Sequence, residues 1–166
     1  MKQRTLRDLF HDQLRDVYNA EGQLIKALPK MAKAASNPDL REGFQEHLEQ
    51  TRGHYERLER VFEALGEKVR GKTCVAMEGL VAEAKEWLDE DAAPEVMDAG
   101  LIACAQKVEH YEIATYGCLV TWAKQLDLDD DAVAALQQTL NEEKETDERL
   151  TQLAESMINM QAAQGE

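Results

Sequence analysis

Apolar residues recur along this chain at steps of three and four, the spacing of one face of an α-helix. Phe10, Leu14, Val17, Leu24 and Leu28 form one stripe, and Phe44, Leu48, Tyr55, Leu58, Phe62 and Leu65 a second. Ile102, Ala105, Tyr116, Val120 and Ala123 form a third, and Val133, Leu136, Leu140, Leu150, Leu153 and Met157 a fourth. Three of these stripes carry acids at mid-length, where an apolar residue is due: Glu21 in the first, Glu109 and Glu112 in the third, Glu143 and Asp147 in the fourth. Burying one unpaired carboxylate is costly, and five together are tolerated only when protons or cations neutralise them. The pattern predicts a metal site inside a helix bundle.

The stripes and their punctuation place the elements. Thr5, with Asp8 three residues on, predicts an N-cap and a first helix over residues 6–35, with a kink or break near Leu28 imposed by Pro29. Ser36-Asn37-Pro38 is a turn, and a second helix runs from Asp39 to Leu65, closed by Gly66. Residues 66–93 form a long connection that opens with a polar stretch and contains a shorter helix over residues 74–88. Pro94 suits the first turn of a third bundle helix reaching Leu126, and Asp127-Leu128-Asp129 leads into a fourth that ends near Met160. The tail, residues 161–166, is expected to fray. Two tight hairpins joined by one long, helix-containing crossover predict an all-α, ferritin-like four-helix bundle. The 166 residues are expected to form one domain.

Composition narrows the partners. A formal charge of −14 argues against nucleic acid or an anionic membrane surface. No apolar stretch is long enough to span a bilayer and Met1 to Thr5 lack a signal-peptide core, so a cytoplasmic location is expected. Cys74, Cys104 and Cys118 are odd in number and make no C-x-x-C pair, which disfavours a disulfide framework or a thiolate zinc site. Each is expected to be a small buried apolar residue.

Glu109-x-x-Glu112 and Glu143-x-x-x-Asp147 each make a two-armed clamp on one helix face, and Glu21 adds a fifth carboxylate. On the second helix His47, Thr51 and His54 share a stripe with Leu58. His47 is the preferred imidazole ligand, with His54 or Gln50 as a further candidate. Hard carboxylate oxygens with imidazole suit iron or manganese, with zinc possible. The expected metal set is therefore Glu21, His47, Glu109, Glu112, Glu143 and Asp147, with Glu112 and a carboxylate of the opposite hairpin as bridges. A lone acid on an apolar stripe more often sits at its edge and reaches water; the coincidence at one depth on three helices favours the metal reading. His110 points about 100° away from Glu109, the rotation per helical residue, and reads as a surface residue. His11 lies too near a helix end, Tyr18 and Tyr111 read as packing residues with a polar tip, and Tyr116 could donate a hydrogen bond to the site.

Five segments carry a resemblance to a known family: Asp16-x-Tyr-x-Ala-Glu21-x-Gln-Leu, His47-Leu-Glu49-x-Thr51-x-Gly53, Cys74-Val-Ala-Met-Glu-Gly-Leu80, Ala105-Gln-Lys-Val-Glu109-His-Tyr-Glu112-Ile-Ala-x-Tyr116-Gly, and Glu142-Glu-Lys-x-Thr-Asp147. They span nearly the whole chain, which resembles the YciE/YciF family of bacterial stress-induced ferritin-like proteins. The resemblance implies a homodimer with a di-iron centre and leaves the biochemical activity open. Rubrerythrin-like proteins share Glu21 and Glu109-x-x-Glu112, but the second helix here has His47-x-x-Gln50, and the fourth Glu143-x-x-x-Asp147, in place of Glu-x-x-His. Two functions follow as expectations. One is a two-iron (or manganese) protein with a peroxide-reducing or ferroxidase-like role, fed by an external electron donor. The other is a non-catalytic dimeric stress protein whose metal site is structural or vestigial and which acts by binding a partner.

Overall fold

The structure, a computed structural model, describes residues 4–164. The expectations placed on Met1 to Gln3 and on the last two residues of the tail lie outside the described residues. Helix α1 spans Leu6–Ala34, α2 Pro38–Ala64, α3 Val75–Leu88, α4 Pro94–Gln125 and α5 Asp130–Leu153; a π-helical turn, Ala154–Ile158, leads into α6, Asn159–Gln164. Each start follows local chemistry. Thr5 and Asp8 form a reciprocal capping box, Asn37 and Asp129 cap α2 and α5 with their side chains, and Pro38 and Pro94 occupy first turns. Gly66 takes φ +68° after α2, the left-handed conformation that suits glycine. Helix α1 runs unbroken through Pro29, so the break expected there does not occur.

The first halves of α1 and α5 and the second halves of α2 and α4 share one apolar cluster, with Phe10, Leu14, Phe62, Leu119 and Leu136 buried in it. The opposite halves share another, with Leu28, Leu40, Phe44, Leu101 and Ile158. Hence α1 is antiparallel to α2 and α4, while α2 and α4 begin at the same end of the bundle. The connection between them must travel the length of the bundle, which is why residues 65–93 are long. That segment is fastened to α1: Lys72 N donates to Arg15 O (3.1 Å), Cys74 N to Asn19 Oδ1 (2.8 Å) and Gln23 Nε2 to Cys74 O (3.2 Å). Helix α3 then packs on the outside of α1 and α4. At the end where α4 begins, the buried carboxylate of Asp98 accepts from Ser36 N and Asn37 N, both at 2.8 Å, and ties α4 to the α1–α2 turn.

Three local expectations change. The π-turn is closed by Asn159 N on Ala154 O and delays the apolar stripe by one residue, so Ile158 is buried and Met157 is 37 % exposed. The tail from Gln161 stays helical to Gln164. Cys74 is buried and Cys104 half-buried, but Cys118 is exposed, because Leu119 and Val120 carry that turn of α4 into the core.

Gly100 sits where α4 passes under Trp87 of α3; an ideal Cβ there would lie 2.0 Å from Trp87 Cε2. Trp87 is held in place by its Nε1 donating to Met97 O at 3.1 Å. Gly100→Ala should therefore destabilise the fold by about 1–3 kcal/mol, the range for overpacking a filled site. Gly117→Ala, with nothing within 4 Å, should be neutral or stabilising. Urea unfolding of the two variants checks both expectations.

Candidate metal centre

Between the two apolar clusters lies a polar layer. Glu21 comes from α1, His47 and His54 from α2, Glu109 and Glu112 from α4 and Glu143 from α5, all at most 3 % exposed. The stripe on α2 explains the histidines. Leu40, Phe44, His47, Thr51, His54, Leu58 and Val61 advance in alternating steps of four and three, so His47 and His54 stand two turns apart on the core face. Leu48 and Tyr55 lie at its edges, Tyr55 stacking on Tyr18.

The donor atoms converge in two groups, His47 with Glu109, Glu112 and Glu143, and Glu21 with His54 and Glu143; within each group one donor atom per residue lies within 4.8 Å of the others. Glu143 is common to both. His47 Nε2 stands 3.0 Å from Glu109 Oε1 and 3.7 Å from Glu143 Oε2, and His54 Nδ1 stands 2.9 Å from Glu143 Oε1 and 3.5 Å from Glu21 Oε1. Short as two of these are, they lack hydrogen-bond direction. These two ring nitrogens, Oε2 of Glu21 and of Glu109, and both oxygens of Glu112 and Glu143 are buried without a hydrogen-bond partner. Native proteins leave only a few such atoms unsatisfied in about a hundred residues, and seldom gather them in one place. Eight aimed at one space fit a cation-binding site, and the mixture of carboxylate oxygen and imidazole suits a first-row transition metal.

Surrounding residues orient the donors. His54 Nε2 lies 2.8 Å from Glu142 Oε2, and Arg57 clamps that carboxylate through both arms at 2.7 and 2.9 Å. The Glu142 carboxylate can only accept, so it fixes a proton on His54 Nε2 and leaves Nδ1 as the ring atom that would face a metal once a cation displaces its proton. His47 Nδ1 faces Gln50 Oε1 and Thr146 Oγ1, each at 3.3 Å, which leaves its Nε2 inward in the same way. Tyr116 donates to Glu21 Oε1 at 2.5 Å, leaving Oε2 free. Thr51 is satisfied within its own helix by His47 O at 2.8 Å, so it fills the layer without competing for a ligand.

The electrostatics carry the same strain. Burial pushes Glu109 and Glu143 up to about 7 and Glu112 well above its ordinary value; neighbouring carboxylates add to the rise, while a hydrogen bond with Glu143 restrains it at Glu109. For His54 burial pulls the imidazole down, but Glu142, Glu143 and Glu21 outweigh it and raise it to about 12. Glu142 is opposed by burial yet held below its ordinary value by His54 and Arg57.

The model of the family described as domain of unknown function DUF892 matches residues 5–163 of this chain. The chain belongs to the DUF892 family. It is 48 % identical to Protein YciF of Escherichia coli (strain K12) over 163 residues, 98 % of each chain. The crystal structure of the E. coli stress protein YciF superposes with a TM-score of 0.90 at 49 % identity, covering 95 % of this chain and 99 % of that one. A protein named YcfI from Rhodopseudomonas palustris does so with a TM-score of 0.86 at 49 % identity, covering 89 % and 94 %. A Xanthomonas campestris protein, 20 % identical with a TM-score of 0.72 over 94 % and 95 % of the two chains, shares the fold. The DUF892 chain is thus a helical bundle of the YciF type, with a buried His/Glu cluster able to hold a metal ion.

Five of the six residues expected as ligands in this DUF892 protein meet in the layer: Glu21, His47, Glu109, Glu112 and Glu143. Asp147 lies beside it, half-buried, its carboxylate accepting from Gln106 Nε2 (3.3 Å) and facing His110 Nε2 (3.1 Å). His110 is exposed, as its position on α4 implies. The residue that sequence reasoning ranks too low is His54. Its signal is the seven-residue step from His47, which returns a helix to the same face after two turns. The residue it passes over is Glu142, whose function shows only once α2 and α5 pack together. His11 stays at the end of the bundle, 3.8 Å from Glu67.

Glu109 and Glu143 ionise near 4.5 when exposed and near 7 in the fold, so the folded chain holds more protons across that window. His54 holds its proton from 6.5 up to about 12. In both ranges stability falls as pH rises. The metal-free protein should therefore melt at a lower temperature at pH 8 than at pH 5, and a divalent transition metal should raise the melting temperature most at the higher pH. Differential scanning calorimetry of metal-free and loaded protein checks this.

Removing the clamp behind His54 by Arg57→Ala should weaken metal binding by about 10–100-fold, the usual effect of losing a residue that orients a ligand. Competition against a chelator would read it.

Proposed function

We propose that this DUF892 protein is a cytoplasmic two-metal carboxylate protein, with iron as the first choice and manganese or zinc as alternatives, handling peroxide or dioxygen in stress defence. The observation that carries the reading is the set of eight unpartnered donor atoms, six residues from four helices, that meet in one buried layer. Four of those residues are carboxylates and two are imidazoles, so two divalent cations would leave the layer neutral. That is the donor set of carboxylate-bridged di-iron bundles, four Glu and two His, distributed differently over the helices. The E. coli relative, a stress protein by description, supports the physiological setting.

When bound, the metals would supply the electron transfer, and the chain's own residues would govern access and protonation. Apolar clusters above and below keep bulk water from the layer. Tyr116 donates its hydroxyl hydrogen bond to Glu21 Oε1 and so orients that carboxylate, and Glu142 with Arg57 fixes the proton on His54 Nε2. In this proposal the working form is a homodimer, and electrons come from an external donor, since Cys74, Cys104 and Cys118 are free thiols on separate turns.

The test is metal content on protein purified without a metal-affinity tag, with absorption spectra before and after peroxide. Two irons per chain with a near-ultraviolet charge-transfer band that responds to peroxide supports the proposal. Failure to take up metal after anaerobic iron loading overturns it. Metal that ignores peroxide but whose chelation sharply lowers the melting temperature points instead to a structural centre. Glu143→Ala should abolish uptake at both positions, His54→Ala should leave one metal per chain, and Asp147→Ala should leave two.

A further inference from the structure

One cavity touches the metal layer from the side. It occupies about 150 Å³ between α1, α2, α4 and α5. Leu24, Leu28, Met31, Phe44, Val108 and Leu150 form its apolar wall, while His47 and Glu109 form its inner end. Both of those belong to the four-residue donor group, and neither Glu21 nor His54 lines the cavity. The other donor group is closed off by Tyr116 and by the Glu142–Arg57 pair. Among the described residues, the layer is therefore approached from the His47 side.

We infer that this cavity binds a neutral, apolar molecule of about the size of a benzene ring, held against the His47–Glu109 side of the centre. This rests on reading the layer as a metal centre. Size follows from volume, because an apolar cavity of roughly 150 Å³ is large enough to take up benzene. Polarity follows from the walls, which are mainly aliphatic and aromatic carbon, while Gln50 and Thr146 beside His47 are engaged with His47 Nδ1 and each other. Charge follows from the rim. The acids Glu46 and Glu145 line it, and the cation there, Arg149, is already paired with Glu46. An anion would meet net negative charge and have to displace Glu46. A cation would lose its water to carbon walls whose inner acid, Glu109, is claimed by the layer. The exposed Arg149–Glu46 pair spans the mouth and needs only rotamer changes to admit a neutral guest.

The experiment uses the full chain, metal-free and loaded with Mn²⁺, with methyl-labelled Leu, Val and Ala observed by NMR. In the metal-free protein benzene should give saturable shifts at Leu28, Val108 and Leu150. Benzoate and benzylammonium should bind at least about tenfold more weakly, a difference worth about 1.4 kcal/mol. Ala105→Leu, which fills the cavity, should weaken benzene by a similar factor while still taking up Mn²⁺; Val108→Phe serves the same purpose if that variant fails to fold. In the Mn²⁺-loaded protein the bound ring should show paramagnetic broadening. Absence of saturable shifts, benzoate binding more tightly than benzene, or undiminished binding in a folded filled variant would overturn the inference. Benzene binding without any Mn²⁺ uptake would sink the metal reading and with it the placement beside a metal, while broadening supports both.

Discussion

Everything in this bundle is arranged around the burial of four carboxylates in one layer. Left ionised and unpaired in an apolar interior, each would be strongly destabilising, and side by side they repel one another. The chain meets the constraint by placing two imidazoles among the carboxylates and by pushing Glu109, Glu112 and Glu143 toward their protonated forms when no cation is present. Apolar clusters on either side hold the helices together, so the layer itself need not contribute to stability in the metal-free state. That division lets the layer be shaped by chemistry and the ends by packing.

The two donor groups are not equivalent. His54 is braced by a bidentate Arg57–Glu142 pair and sealed from solvent, whereas His47 is oriented by the neutral Gln50 and Thr146 and borders the cavity. A charged brace makes an imidazole a stronger electron donor than a neutral one does. In the proposed two-metal reading, the His54 group would favour retention and the His47 group access. Glu143 belongs to both groups. The same asymmetry separates this chain from the rubrerythrin-like pattern: its two histidines come from one helix, where that pattern takes them from two.

Much of the fold and of the candidate centre is legible in the amino-acid sequence. The capping signals at Thr5, Asn37 and Asp129 and the long polar stretch after Gly66 place the elements, because caps and turns are local chemistry. Acids interrupting apolar stripes mark Glu21, Glu109, Glu112 and Glu143, because helical periodicity fixes which face a residue occupies. Asp147 misleads for the same reason. It satisfies the periodicity, yet its carboxylate turns toward Gln106 and His110 at the edge of the layer. Asp98 shows the converse, a buried acid that serves backbone amides of a turn distant in sequence.

By itself, then, the sequence determined most of the core-facing stripe and the depth of its acids, since both follow from helix geometry and local capping. The π-turn at Ala154–Ile158 and the turn carrying Cys118 departed from it. Tertiary structure decided which of those residues meet. It brought Glu142 to His54, turned Asp147 aside, made Glu143 common to both donor groups and opened the cavity at His47. These outcomes depend on the rotation and offset of four helices against one another, set by the summed packing of two apolar clusters rather than by any segment alone.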